Sequence, residues 1–386
     1  MRKIISADKI KVYMVRVGIN GFGRIGRLAF RIGLTKYTSE IEFGAINTSG
    51  SMPTSSWAHL VNYDTMYRRF ALDILSEEKK PPKSAIDEDP LIGYLKVSGK
   101  DITVPVLAQK DPAKIPWGVY GVSVVIESTG AFTREEDAKK HALGGAKRVV
   151  ISAPSKGENV GTYVIGVNES SDGPNTESVV ISNASCTTNC VAPVMAVLHS
   201  KFGVEKAMMT TVHSYTDDQN LQDGSHKDLR RSRAAAENIV PTTTGAAIAT
   251  TETIPQLKGI FDGVSLRVPV ATGSISDFSV LLKKKTTVDE VNKAFREAEK
   301  NPLYKGILVT SSEPLVSSDI IGRSESSIID LSLTQIVDGN LLKVFAWYDN
   351  EWGYANRLIE QVIRVGRRLD SASVPSDPIT LSFKQQ

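Results

Sequence analysis

Apolar positions along this chain recur with two periods. Residues 15–19 (Val15-Arg16-Val17-Gly18-Ile19) predict a buried strand, and Ile25, Leu28, Ala29 and Ile32 then repeat at helical spacing. Residues 41–46 predict a second strand. Strand, helix and strand within about 30 residues make a βαβ unit, which implies a parallel sheet with a right-handed crossover. The alternation continues with strands at 122–127, 149–152 and 179–182 and a helix over 134–143 that Gly144-Gly145 stops. Between them, 76–90 is charged and holds adjacent prolines, Pro81 and Pro82, which predicts an exposed loop. Past residue 186 the texture changes. A helix over 187–200 is followed by a polar, basic stretch at 214–240 that reads as a long irregular loop. Alternating segments at 265–270, 276–282, 327–330 and 343–347 then predict an antiparallel sheet, with helices at 287–299 and 355–369. The pattern predicts an α/β protein: a doubly wound first part, then an α+β part on a mostly antiparallel sheet.

Composition narrows the class. The chain has 386 residues, which at about 150 per domain predicts two or three domains. Apolar residues are 41% and charged residues 23%, which excludes wholesale disorder. The net charge of +3 does not suggest a dedicated nucleic-acid binder. With only Cys186 and Cys190, a disulfide scaffold is excluded, and five scattered histidines complete no zinc pattern. The first 14 residues read as a short polar extension, where Asp8, Lys9 and Lys11 break any signal-peptide core. The longest apolar runs are about nine residues, as at 190–198, against the roughly 18 a membrane helix needs. A reducing, cytoplasmic setting is expected.

Three glycines, Gly21, Gly23 and Gly26, stand as G-x-G-x-x-G between the first strand and its helix. Glycine permits the tight turn and lets the backbone approach a pyrophosphate, whose charge the helix N-terminus favours. Alone the motif is weak; its strand–turn–helix setting points to dinucleotide binding. The same rule asks for an acid at the end of the second strand, to bind the adenosine ribose hydroxyls. Thr48 stands there, and no Asp or Glu occurs from 43 to 63. A carboxylate would repel a 2′-phosphate, whereas a hydroxyl could donate to it. This favours NADP, or use of both cofactors, over strict NAD.

Cys186 follows a strand and opens a helix, in Ser185-Cys186-Thr187-Thr188-Asn189-Cys190. Free cysteine is usually a small buried residue, but the flanking Ser, Thr and Asn are polar company, and a helix N-terminus stabilises a thiolate. Cys190, one turn on beside Val191 and Val194, reads as buried core. His213 ends an apolar stretch, and a Cys–His pair is a common way to activate a thiol.

These segments resemble the phosphorylating glyceraldehyde-3-phosphate dehydrogenases. Residues 17–27 resemble that family's cofactor signature, and 182–190 its active-site motif. Thr211-Val212-His213-Ser214-Tyr215-Thr216, Thr243-Thr244-Gly245-Ala246-Ala247, Leu266-Arg267-Val268-Pro269 and 347–354 follow in the family's order, over about 15 to 368. The resemblance implies that Cys186 is the nucleophile and His213 the base. Thr216 and Arg267 would bind the substrate's C3 phosphate; Ser185, Thr187, Arg231, Thr244 and Gly245 would bind the attacking phosphate. Arginine forks and hydroxyls suit phosphate oxygens. Read on residues alone, Arg231 belongs to a basic stretch, 226–233, for which a solvated face or a nucleic-acid patch is the alternative reading. Arg24 and Ile25 match the turn residues at the pyrophosphate, Thr129 and Gly130 a segment near the nicotinamide ribose, Asn350 the residue holding the nicotinamide amide, and Tyr354 the one beside its ring.

The implied reaction oxidises glyceraldehyde 3-phosphate with NADP or NAD and inorganic phosphate to 1,3-bisphosphoglycerate, through a cysteine thioester. Erythrose-4-phosphate dehydrogenase is the rival within the fold, and the Thr243–Ala247 pattern disfavours it. A non-catalytic nucleotide- or RNA-binding relative is the rival outside it, and an intact Cys186 and His213 argue against that. The family implies a homotetramer with the 214–240 loop at an interface. NAD-specific members commonly have Asp at Thr48 and Leu-Pro or similar at Gly224-Ser225, so Ser225 joins Thr48 in pointing to NADP. The expected division is a dinucleotide-binding domain over 1–185, completed by a C-terminal helix within 350–386, and a catalytic domain over 186–349.

Overall fold

The computed structural model describes residues 14–371 except 158, 170–172 and 175–176. The expected N-terminal extension lies almost wholly outside the described residues. Two large sheets organise the rest. The first has nine strands, in the order Gly161–Thr162, Val180–Ser182, Arg148–Ile151, Val124–Glu127, Val15–Asn20, Ile41–Thr48, Thr103–Ala108, Leu91–Val97 and Ile74–Glu78. Its first seven strands run parallel, and the last two are joined on by antiparallel pairings. Parallel strands are buried on both faces. The helices Arg24–Thr35 and Trp352–Ser371 cover one face around Val17, Ile19, Leu28, Ile32 and Ile126. Trp117, Val125, Val149 and Val180 pack the other. From the last helix Leu358, Ile359 and Val362 are fully buried, each stabilising by about 1.5–3 kcal/mol. That ties this helix to the first strand of the chain.

One expectation is corrected here. The charged stretch predicted as loop from 76 begins as the end of the strand Ile74–Glu78, paired antiparallel with Leu91–Val97. The strand is an edge, where outward charge blocks further pairing, and Glu77 makes an ion pair with Lys96 across the ladder. Only beyond it do the prolines enforce irregular chain, with a short 3-10 turn at Pro82–Ser84.

The second sheet runs Val240–Thr243, Phe261–Val268, Val204–Ser214, Ser274–Leu282, Leu341–Tyr348, Ser327–Asp330 and Leu308–Ser311, with Gln335–Val337 beside Leu341–Tyr348. Two of its pairings are parallel and the rest antiparallel. Helices Cys186–Phe202, Ala246–Thr253 and Val288–Lys300 bury one face, through Val194, Leu198, Val291 and Phe295 against Phe278, Val280 and Val344. Thr287 and Glu290 form a reciprocal capping box at the start of the last of these. Among the described residues no helix covers the opposite face, and Met208, Val264 and Leu341 are exposed there. No described helix is long and apolar enough to cross a membrane.

Candidate functional site

The glycine turn lies at the carboxyl end of the central strand. Gly21 has φ +93°, and a Cβ on it would sit 2.6 Å from Thr129 N; a Cβ on Gly26 would sit 2.2 Å from Gly21 O. Both positions therefore demand glycine. A Cβ on Gly23 would meet nothing within 4 Å, so the turn is open there. The helix that follows has no side-chain cap and no acid in its first turn. Its free N–H groups and open cradle fit the pyrophosphate of a dinucleotide. The Arg24 side chain is engaged elsewhere, with its guanidinium held by Asp64 and Glu351. Ile25 lines the adjoining cleft.

Beneath the turn lies a buried polar network that sequence reading missed. Glu127 accepts from Asn20 Nδ2 (2.6 Å), His141 Nε2 (2.9 Å) and Thr129 N (2.9 Å), and from the Thr129 hydroxyl. Trp117 Nε1 donates to His141 Nδ1 at 3.0 Å, which leaves the ring proton on Nε2, facing Glu127. Every partner of Glu127 is thus a donor, so an amide in its place would aim N–H at N–H. Glu127→Gln is expected to cost about 1–3 kcal/mol of stability, read by urea unfolding. An unchanged midpoint would show that the network rearranges freely.

Thr48 is a correction. It is 2% exposed, its hydroxyl donates to Leu107 O at 3.0 Å, and its oxygen accepts from Gly50 N. The hydroxyl is turned into the fold, so the bond expected from it to a 2′-phosphate is not available. Threonine's small polar group satisfies the strand end locally. Ser225 is exposed on the loop after residue 214 and does not line the cleft. That loop folds on itself: Gly224 N donates to Ser232 O, and Arg233 pairs with Asp223. Of the basic stretch, Arg231 and Arg233 are thus paired with carboxylates, whereas Lys227 and Arg230 are exposed.

Cys186 is the first residue of its helix. Ser185 caps it by accepting from Thr188 N at 3.0 Å. Just before, Ala184 is held at φ +56°, a left-handed conformation that costs a non-glycine residue about 1 kcal/mol or more. Tyr354 pins it by donating to Ala184 O at 2.9 Å. His213 Nε2 lies 3.4 Å from Cys186 Sγ. His213 Nδ1 lies 2.7 Å from Ser214 O and 2.7 Å from Arg267 Nη1. In the tautomer that donates Nδ1–H to Ser214 O, the Nε2 lone pair faces the thiol and can accept its proton. His213 and Arg267 are direct partners on adjacent parallel strands, so sheet register sets their contact.

Burial pushes the Cys186 thiol up, and Arg267 and hydrogen bonds with Thr187 only partly oppose it. Burial, then Arg267, pushes His213 down to about 3. The resting pair is accordingly thiol and neutral imidazole; for Cys186, burial outweighs the help of the helix N-terminus. Cys190 is fully buried and pushed up to about 12 by burial.

A cavity of about 210 Å³ brings the anion candidates together: Ser185, Thr187, Thr216, Arg231, Thr244, Gly245 and Arg267 all line it, with Cys186 and His213. It opens into a cleft of about 740 Å³ that also touches Arg24, Ile25, Asn350 and Tyr354. Asn350 Oδ1 accepts from Gly273 N and Ser274 Oγ, which leaves its NH₂ as the remaining polar group. Thr129 lies at the glycine turn, although it does not line the cleft. Sequence reading also missed Tyr348, whose hydroxyl bridges Thr187 (2.9 Å) and Thr211 (2.7 Å) under the cavity floor. Periodicity predicts its strand, but nothing local marks which tyrosine meets two threonines.

Comparison with known proteins gives consistent matches. A family model for the NAD binding domain of glyceraldehyde 3-phosphate dehydrogenase matches residues 15–135, and one for the C-terminal domain matches 185–350. The glyceraldehyde-3-phosphate dehydrogenase of Streptomyces coelicolor is 50% identical over 355 residues, covering 92% of this chain and 99% of that protein. Glyceraldehyde-3-phosphate dehydrogenase 1 of Bacillus cereus is 49% identical over 348 residues, 90% of this chain and 97% of that protein. The glyceraldehyde-3-phosphate dehydrogenase of Mycobacterium bovis is 48% identical over 358 residues, 92% of this chain and 99% of that protein.

Proposed function

The chain belongs to the glyceraldehyde-3-phosphate dehydrogenase family, and from that premise we propose how its own residues divide the work. It is an oxidoreductase that converts glyceraldehyde 3-phosphate and inorganic phosphate to 1,3-bisphosphoglycerate with a nicotinamide dinucleotide. What carries the assignment of roles is the single cavity that Cys186 and His213 share with all seven anion candidates.

Cys186 Sγ attacks the aldehyde carbon, and the thiol proton passes through His213 Nε2 to the new oxygen. In the oxidation of this hemithioacetal to a thioester, His213 Nε2 takes the hydroxyl proton back. The bound nicotinamide supplies the acceptor for the two electrons. Inorganic phosphate then attacks the thioester carbon, the C–S bond breaks, and Cys186 recovers its proton from His213. Arg267 and Thr216 hold the C3 phosphate; Arg231, Thr187, Ser185, Thr244 and Gly245 hold the attacking one. Asn350, Tyr354, Ile25, Thr129 and the backbone of the glycine turn, including Arg24 N–H, hold the cofactor. In this reading residues 1–185 with 350–386 serve the cofactor, and 186–349 serve the substrate.

We read the cofactor as NADP or NAD, with both accepted. Support comes from the missing carboxylate between 43 and 63 and from Gly224-Ser225, no longer from a bond made by Thr48. A carboxylate at this position cannot donate to Leu107 O and must turn outward, so Thr48→Asp is expected to shift the kcat/KM ratio toward NAD by roughly tenfold, through repulsion of a 2′-phosphate. A wild type that ignores NADP would end the dual-use reading. The companion test compares glyceraldehyde 3-phosphate with erythrose 4-phosphate, with and without inorganic phosphate. Preference for the four-carbon sugar and indifference to phosphate would reassign the substrate.

We also read the chain as a homotetramer. The uncovered face of the second sheet, with Met208, Val264 and Leu341 exposed, supports self-association. Sedimentation equilibrium showing a monomer would remove that part.

A further inference from the structure

One donor of each anion site is already engaged by the same carboxylate. Asp218 Oδ2 accepts from Arg231 Nη1 at 2.6 Å, and Asp218 Oδ1 accepts from the Thr216 hydroxyl. Asp218 lines neither the cavity nor the cleft, so it stands behind these two residues rather than among the ligands. The Arg231 guanidinium is held further by Thr242 Oγ1 at 2.9 Å and by Asp228 at 3.5 Å. Thr216 belongs to the C3-phosphate set and Arg231 to the attacking-phosphate set, so Asp218 is the side chain that touches both. A carboxylate and a phosphate compete for the same N–H and O–H donors, and two anions close together repel.

We propose that Asp218 is a positioning residue that couples the two phosphate sites: it aims Arg231 and Thr216 and, as a resident anion, weakens their hold on phosphate enough for a doubly phosphorylated product to leave. The inference rests on the reading that Thr216 and Arg231 bind anions. Burial alone would raise the Asp218 carboxyl, but Thr216, Arg231 and Arg267 draw it below the usual range, so it carries its charge at neutral pH. Its side chain keeps 44% of its surface exposed, so a neutral, near-isosteric amide is tolerated by the fold.

The experiment compares full-length wild type, Asp218→Asn and Asp218→Glu. It measures the KM for inorganic phosphate, the inhibition constant of sulfate competing with it, and kcat. In Asp218→Asn the phosphate KM and the sulfate constant should both fall, by roughly three- to tenfold. kcat should fall as well, because product is held longer. Asp218→Glu keeps the charge and should stay within about twofold of wild type in sulfate inhibition. A merely structural Asp218 would move the other way: losing its bonds would raise the phosphate KM and weaken sulfate. That result, or no change, overturns the proposal, as does an equal effect of Asp218→Glu. If wild-type turnover itself ignores phosphate, the anion-site reading fails first, and the coupling falls with it.

Discussion

Replacing Cys186 with serine is expected to lower kcat/KM for aldehyde oxidation by about 10⁴-fold or more while leaving cofactor affinity within about twofold. A serine hydroxyl is a far weaker nucleophile and cannot form the thioester. The exchange is otherwise small: Ser185 still caps the helix, and nothing in the glycine turn touches the sulfur. Fluorescence titration of the reduced cofactor checks binding, and initial rates check turnover. Retained oxidation in this variant would remove Cys186 from the mechanism. A parallel readout separates the two thiols. Iodoacetamide should modify Cys186 and spare Cys190, which is fully buried, contacts Ala346 O, and is held protonated by burial.

His213→Asn is expected to lower kcat/KM by about 10²–10⁴-fold, the ordinary worth of a positioned base. The pH dependence follows from the directions of the two shifts. His213 is held down to about 3, so it remains neutral across the physiological range, and the wild-type rate should show no break near its ordinary 6.5. The Cys186 thiol is pushed up, so kcat/KM should climb with pH into the alkaline range. The same group contributes to stability against pH. Between about 3 and 6.5 the unfolded chain binds a proton at this imidazole that the native state does not. Stability from this group is therefore complete above 6.5 and is lost as the pH falls below it. The difference in Tm between wild type and His213→Asn should accordingly change with pH below 6.5 and be flat above it. A rate profile breaking near 6.5 would mean that His213 titrates normally and that burial does not govern it.

Local signals carried much of the site. The glycines of the turn announce themselves because only glycine tolerates the φ of Gly21 and the contact of Gly26 with Gly21 O. Helix periodicity marks 187–200, and the observed helix Cys186–Phe202 begins one residue earlier because Ser185 supplies the cap. The polar neighbours of Cys186 set it apart from Cys190 without any knowledge of contacts. Where sequence and structure part, the missing information is direction or pairing. Thr48 has the right chemistry at the right place, but its rotamer sends the proton to Leu107 O. The strand Ile74–Glu78 carries too much charge to look like a strand, and only an edge position makes that tolerable.

Beyond the two anion sites, which rest on the family resemblance, the sequence by itself determined the βαβ unit around the glycine turn, the tightness of that turn, and which residues have the chemistry for a thiol nucleophile and a base. These depend on φ, side-chain type and short-range periodicity, which are properties of a few adjacent residues. Only the tertiary structure decided which groups meet. His213 and Arg267, 54 positions apart, become neighbours through the register of two parallel strands. Thr187 reaches Tyr348 across 161 positions, and Asn20 reaches Glu127 across 107. Burial, which sets both the thiol and the imidazole away from their ordinary ionisation, is likewise a property of the packed molecule. No local pattern encodes it, because it depends on every segment that closes over the site.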